Sequence, residues 1–224
     1  MNTKAKLSHT LFGVAFLGAI LLGWGFDDVA GYFMNPARLL TFVILALGFL
    51  LAAFLMPPSW ASEGAADKLV RRQKLAALIA TMASLFQHFI APYSDRRDWL
   101  TLADGDGWRY GGFLLYLIGF YYATYAPFYL GRYFSIQATI QQDHRLITTG
   151  PFKRIRHPRY AGVILMAFGF ALVYRSAAGL VNAVAMTALM LWRMSDEEKM
   201  LSGHFQVEWT DYSRRTKRLL PFIY

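Results

Sequence analysis

Six long apolar runs constrain this chain more than any other feature. Residues 7–26 form a stretch of twenty with no Asp, Glu, Lys or Arg, and about 20 such residues are what an α-helix needs to cross the hydrocarbon of a bilayer. Further runs cover 39–58, closed by Pro57-Pro58, then 75–93 and 110–131, the last rich in tyrosine with Pro127 near its end. Two shorter runs, 160–174 and 177–192, are separated only by Arg175-Ser176 and read as a tight helical hairpin. Ala15, Ala19 and Gly23 recur every fourth residue in the first run, a small-residue face suited to close packing between membrane helices. Lys4 and Lys6 precede that run, but it is long for a signal-peptide core and no small-x-small cleavage site follows, so it reads as a span. The expectation is an all-α polytopic membrane bundle of about six transmembrane helices, the last two a hairpin. Residues 59–74 and 94–109 are expected as polar connections.

Composition removes several alternatives. Of the 224 residues, 56% are hydrophobic, against roughly 45–50% in soluble domains. The absence of cysteine excludes disulfides, thiolate zinc sites and cysteine nucleophiles. With no close histidine pair either, no metal site is expected. The net charge is +9. Its cations flank apolar runs, which points to anionic headgroups or an anionic ligand rather than to nucleic acid. If all six runs cross, one side carries 18 of the 23 Lys and Arg and the other only Arg38, Arg96, Arg97, Arg109 and Arg175. Cytoplasmic loops hold the cation excess. Both termini and the basic segment 144–162 are therefore expected in the cytoplasm, in a bacterial inner membrane or the endoplasmic reticulum.

That basic segment, HRLITTGPFKRIRHPRYAG, concentrates the chemistry. Proline fits the first turn of a helix, and the residue before it avoids helical dihedrals. A helix is expected to start at Pro158 with His157 just outside it. Such a start presents free N–H groups and a positive dipole end, a seat for an anion, with Arg156 and His157 beside it. Glu197 and Glu198 follow the sixth run and are expected at the same depth. Arg193 stands four residues before Glu197, on the same helix face. Acids and bases converging at one membrane surface point to a site.

These residues carry a resemblance. Arg156-His157-Pro158-Arg159-Tyr160-Ala161-Gly162 fits an Arg-His-Pro-x-Tyr-x-Gly pattern. Upstream stands His144-x-Leu146-x-x-x-Gly150-Pro151-Phe152, and downstream the Glu197-Glu198 pair, the aromatics Trp209 and Tyr212, and Pro221. Over roughly residues 134–224 the chain resembles the isoprenylcysteine carboxyl methyltransferases and their phospholipid methyltransferase relatives, integral membrane enzymes that use S-adenosylmethionine. Phe152 stands where tyrosine is commoner. The apolar runs mark off a four-span membrane region, 1–131, and the resemblance implies a catalytic region, 132–224, with a cytosolic cofactor-binding cap. It puts S-adenosylmethionine near His144, Leu146, Gly150, His157, Tyr160, Gly162 and the Glu197-Glu198 pair. Within that site the helix start at Pro158 with His157 suits the cofactor's carboxylate, and one of the two glutamates its amino group. His144, Leu146, Ile147 and Tyr160 would wall the adenine, and Tyr212 would close the pocket. A carboxylate or thiolate acceptor would be oriented by Arg193 or Arg156, whereas an amine acceptor would need a base, for which Glu198 is the candidate. The implied partners are the bilayer and a membrane lipid or lipophilic acceptor, either isoprenylcysteine carboxylate-like or phospholipid amine-like.

Two other readings compete. Membrane sterol reductases share a histidine–proline–tyrosine motif and an acidic, tyrosine-containing tail but use NADPH, and the Gly150-Pro151 turn argues against them. A non-catalytic lipid-binding protein on the same fold would tolerate loss of Glu197 and His157.

Overall fold

The computed structural model describes residues 3–55, 67–103, 105–131, 134 and 145–220. Among these residues there are seven α-helices: α1 (Thr3–Trp24), α2 (Val29–Phe33), α3 (Pro36–Leu55), α4 (Asp67–Arg97), α5 (Asp106–Leu130), α6 (Pro158–Val173) and α7 (Ala177–Arg215). No strand occurs among the described residues, which hold two isolated bridges, Thr101 with Ser176 and Ile155 with Lys217. Four helices are long and apolar enough to cross a membrane. A fifth crossing is available if α1 and the helical segment Phe26–Phe33, bent by 80° to it, count as one broken span. At 16 residues, α6 reaches only about 24 Å, short of the ~30 Å hydrocarbon thickness. Thus each of the six expected runs falls in a helix over most of its described residues, while only four or five of them meet the length of a span. Helix α7 covers 39 residues with a break inside it at Gln206, far more than one crossing requires. Its uncharged part ends at Trp192, and the charged residues begin at Arg193.

Two connections turned out shorter than expected. Helix α4 begins at Asp67 inside the presumed 59–74 linker and runs to Arg97, and α5 already starts at Asp106. Charge periodicity concealed this, because polar helix ends read like loops. The hairpin is as expected: α6 and α7 are joined through Tyr174–Ser176, where Ser176 caps α7 by accepting from the Gly179 N–H at 2.9 Å.

Helices α5 and α6 form the tightest pair. Gly112 and Gly119 on α5 meet Gly169 and Gly162 on α6, so that a Cβ on Gly119 would lie 2.6 Å from the Gly162 carbonyl. Small residues allow this backbone approach, which supplies dispersion where lipid cannot supply a hydrophobic drive. Outward-facing side chains stay apolar: Phe54 is 62% exposed, Leu78 56%, Leu114 58% and Val181 71%. A soluble monomer rarely shows so much apolar surface, but a bilayer covers it.

At one end of the bundle Asp95 is buried among three guanidiniums. Arg109 binds it through two contacts of 2.8 Å, Arg175 at 3.1 Å and Arg38 at 3.3 Å. This cluster joins α3, α4, α5 and the α6–α7 turn. Between the ends, Gln87 donates to the Ala167 carbonyl and accepts from Asn182, and His88 packs between Phe16 and Phe170. The other end holds the His157 segment, a full α6 away.

Candidate functional site

The C-terminal segment organises that end. After α7, the backbone runs beside the residues preceding α6: Arg156 N–H donates to the Lys217 carbonyl at 2.7 Å, His157 N–H to Arg218 at 3.0 Å, and Lys217 N–H to Arg154 at 3.1 Å. Helix α6 begins at Pro158, with His157 as its N-cap. The 3-10 turn Gly150–Lys153 precedes it. Helix α7 breaks at Gln206, whose φ is +45°. The break turns the last two helical turns, which carry Trp209 and Tyr212, back toward α6.

These elements surround an open cleft whose empty volume of about 850 Å³ includes open solvent. The start of α6 contributes Arg156, His157, Pro158, Arg159 and Tyr160. Leu146, Ile147 and Phe152 form an apolar wall, Pro127 and Leu130 close it from α5, and α7 adds Glu197, Met200, Leu201, Trp209 and Tyr212. Pro158 and Glu197 therefore face one space. The Tyr160 hydroxyl donates to Glu197 Oε2 at 2.9 Å, and the Tyr212 hydroxyl to the Phe152 carbonyl at 2.8 Å.

The two adjacent glutamates have different surroundings. Glu198 lies behind the start of α6, where Arg156 Nε donates to it at 2.9 Å, His157 Nε2 stands 3.2 Å away, and Arg218 donates at 2.8 and 3.0 Å. Burial alone would raise its carboxyl, but the hydrogen bonds and charges of His157 and Arg156 prevail and hold it at about 2. Arg156 also donates to the carbonyls of Ser213 and Thr216 at 3.0 and 2.6 Å. Glu198 and Arg156 thus lock the tail, α7 and the α6 start together.

Several expected roles are corrected by this geometry. A carboxylate held near 2 takes up almost no proton at neutral pH and is a poor base, so Glu198 does not suit the task foreseen for it. Arg156 lines the cleft, but its donors point to Glu198 and the tail, which leaves it ill-suited to orient an acceptor. Gly162 faces α5 instead of the cleft: a Cβ there would lie 2.6 Å from the Gly119 carbonyl and closer still to the Ala123 nitrogen. Gly150 adopts φ +58° directly under the Tyr129 ring, so it shapes the turn without lining the cleft. Arg193 is buried on α7 at 5% exposure and acts on Tyr160 through its charge, without being part of the lining. His144 and Pro221 lie outside the described residues. Sequence reasoning passed over Arg159, and also Met200 and Leu201, which share the face of Glu197 by their spacing of three and four.

Comparison with known proteins gives the arrangement a context. The phospholipid methyltransferase family matches residues 108–208. The protein-S-isoprenylcysteine O-methyltransferase of Saccharomyces cerevisiae is 32% identical over 119 residues, 50% of this chain and 48% of that protein. Its Schizosaccharomyces pombe counterpart is 22% identical over 100% of this chain and 98% of that one. The chain thus spans about half the length of the budding-yeast relative. Among solved structures, the eukaryotic intramembrane Ras methyltransferase, isoprenylcysteine carboxyl methyltransferase, superposes with a TM-score of 0.53 at 21% identity, covering 94% of this chain and 75% of that chain. The apolar helices and these matches converge: this chain is an integral membrane protein with the fold of the intramembrane methyltransferase, similar over residues 108–208 to the phospholipid methyltransferases and over about half its length to the isoprenylcysteine O-methyltransferases.

Proposed function

We propose that the protein is an S-adenosylmethionine-dependent methyltransferase acting on a lipophilic, membrane-associated acceptor. The observation that carries this reading is the meeting of a proline-started helix and Glu197 in one cleft at the end of an apolar bundle. The donor set fits the cofactor. Glu197 offers a carboxylate for an amino group, the start of α6 a positive dipole end for a carboxylate, and Leu146, Ile147, Trp209 and Tyr212 apolar walls for a flat base. Bound there, S-adenosylmethionine supplies a methyl group made electrophilic by its sulfonium. The protein's contribution is orientation and electrostatics, with no covalent enzyme intermediate required. Tyr160 fixes the Glu197 carboxylate, and the Glu198–Arg156–His157 lock fixes the helix start. Because Glu198 is engaged and weakly basic, an acceptor that needs no deprotonation, such as an isoprenylcysteine-like carboxylate, suits the cleft better than a phospholipid amine. An apolar groove between α3 and α5, lined by Leu51, Tyr121, Tyr125 and Phe128, supports a lipid-tailed acceptor. Ring contacts from Tyr125 to Tyr129 at 5.9 Å and from Tyr129 to Phe152 at 6.4 Å link it to the cleft. The cation distribution supports a cytoplasmic cleft and cytoplasmic termini.

The test is incubation of purified protein with methyl-labelled cofactor and a total lipid extract. Label is expected in a base-labile methyl ester, and it should be absent with Glu197→Ala. Hydride transfer from NADPH with no methyl transfer would establish the reductase reading instead.

A further inference from the structure

The motif Arg-His-Pro-x-Tyr-x-Gly leaves one cleft residue unspecified, and in this chain that residue is Arg159. Its charge is therefore a property of this protein and not of the pattern. Arg159 is the second residue of α6 and lines the cleft. Its guanidinium lies 5.1 Å over the Phe134 ring, a contact that stabilises a cation without neutralising it. Among the described residues it has no carboxylate within ion-pair distance, in contrast to Arg156, which Glu198 neutralises. The acid of the lining, Glu197, accepts from Tyr160 and acts on Arg159 only through its charge, from beyond ion-pair distance.

Charge balance then restricts what occupies the space. The lining holds Arg145, Arg156 and Arg159 against Glu197 alone, and Glu198 offsets Arg156 from behind. S-adenosylmethionine has a sulfonium and an ammonium against one carboxylate, so it brings a net positive charge. A cation facing an apolar-walled cleft is stabilised when a ligand brings the counter-charge, and the cofactor, whose one carboxylate is assigned to the backbone N–H groups of the α6 start, brings a net charge of the wrong sign. We infer that Arg159 is a specificity-determining residue that grips an oxyanion of the acceptor, a carboxylate or a phosphate. This rests on the methyltransferase reading above. An arginine suits the task because its planar fork matches both oxyanions through paired N–H donors.

The experiment uses the full chain in phosphatidylcholine nanodiscs loaded with S-adenosylhomocysteine. Binding is measured for an N-acetylated prenylcysteine, its uncharged methyl ester and a prenyl phosphate. Wild-type protein is expected to bind the better of the two anions at least tenfold tighter than the ester, and the ranking of carboxylate against phosphate identifies which oxyanion is meant. Arg159→Ala should erase the preference while S-adenosylhomocysteine affinity stays within twofold, which also controls for folding. Arg159→Lys should retain part of it. An absent preference in the wild type, or one that survives Arg159→Ala, overturns the inference. So does a loss of S-adenosylhomocysteine binding in a folded Arg159→Ala protein, since Arg159 would then serve the cofactor. An intact preference with no methyl transfer to any acceptor overturns the methyltransferase reading and leaves the oxyanion grip standing.

Discussion

Replacing Glu198 with glutamine separates a structural lock from a catalytic base. The side chain is 12% exposed and accepts from Arg156, His157 and Arg218. Glutamine keeps the shape but removes the charge, leaving a mostly buried Arg156 with weaker partners. Breaking a fully buried pair costs about 3–5 kcal/mol. Arg218 is 36% exposed, so solvent softens the loss, and about 2 kcal/mol is a reasonable expectation. For a chain of this size that lowers Tm by roughly 4–8 °C. The carboxyl is depressed from its ordinary 4.5 to about 2. Its stabilisation is therefore complete above about pH 4.5 and is lost as pH falls toward 2. Thermal melts in detergent between pH 3 and 7 measure both effects. Glu198→Gln should melt lower than wild type at pH 7, and the two curves should converge as pH falls. In the same samples methyl transfer should decline modestly, with no new dependence on pH. If Glu198→Gln melted like wild type yet lost transfer by about 100-fold or more, as removal of a general base does, the lock would be refuted and the base restored.

Three further outcomes follow from the geometry. Tyr160→Phe removes the donor to Glu197, and a hydrogen bond to a charged group is worth about 1.5–3 kcal/mol. Titration calorimetry should show cofactor affinity falling by roughly tenfold or more, with little change in Tm. Asp95→Ala leaves three guanidiniums facing each other at the far end of the bundle. A loss of about 3–5 kcal/mol should appear as poor recovery of monodisperse protein by size-exclusion chromatography. Gly162→Ala forces α5 and α6 apart, and overpacking of this kind costs about 1–3 kcal/mol. It should lower Tm, while a residue in contact with cofactor would change affinity first.

How much of this was legible in the sequence follows from the physics of each signal. Apolar runs disclosed the helices because lipid tolerates few other surfaces, and Pro158 marked the start of α6 because proline has one comfortable place in a helix. The ends of α4 were obscured, since a charged helix extension and a loop share a composition. The pairing of Glu197 with Tyr160, and of Glu198 with Arg156, depends on the rotational phase of α7 against α6, which no local pattern encodes. Arg159 was overlooked because it fills the variable place of a motif. Asp95 was hidden in a stretch dense with turn-forming residues, 94–107, and only the folded chain brings Arg38, Arg109 and Arg175 around it.

The central claim is that one cofactor sits between the start of α6 and the face of α7 that carries Glu197. Ultraviolet cross-linking of methyl-labelled S-adenosylmethionine to the purified protein, followed by peptide mapping, tests it directly. The account predicts label in 145–160 or 197–212, displaced by S-adenosylhomocysteine and lost with Glu197→Ala. Label confined to α1–α3, or saturable binding of NADPH with none of S-adenosylmethionine, would contradict it.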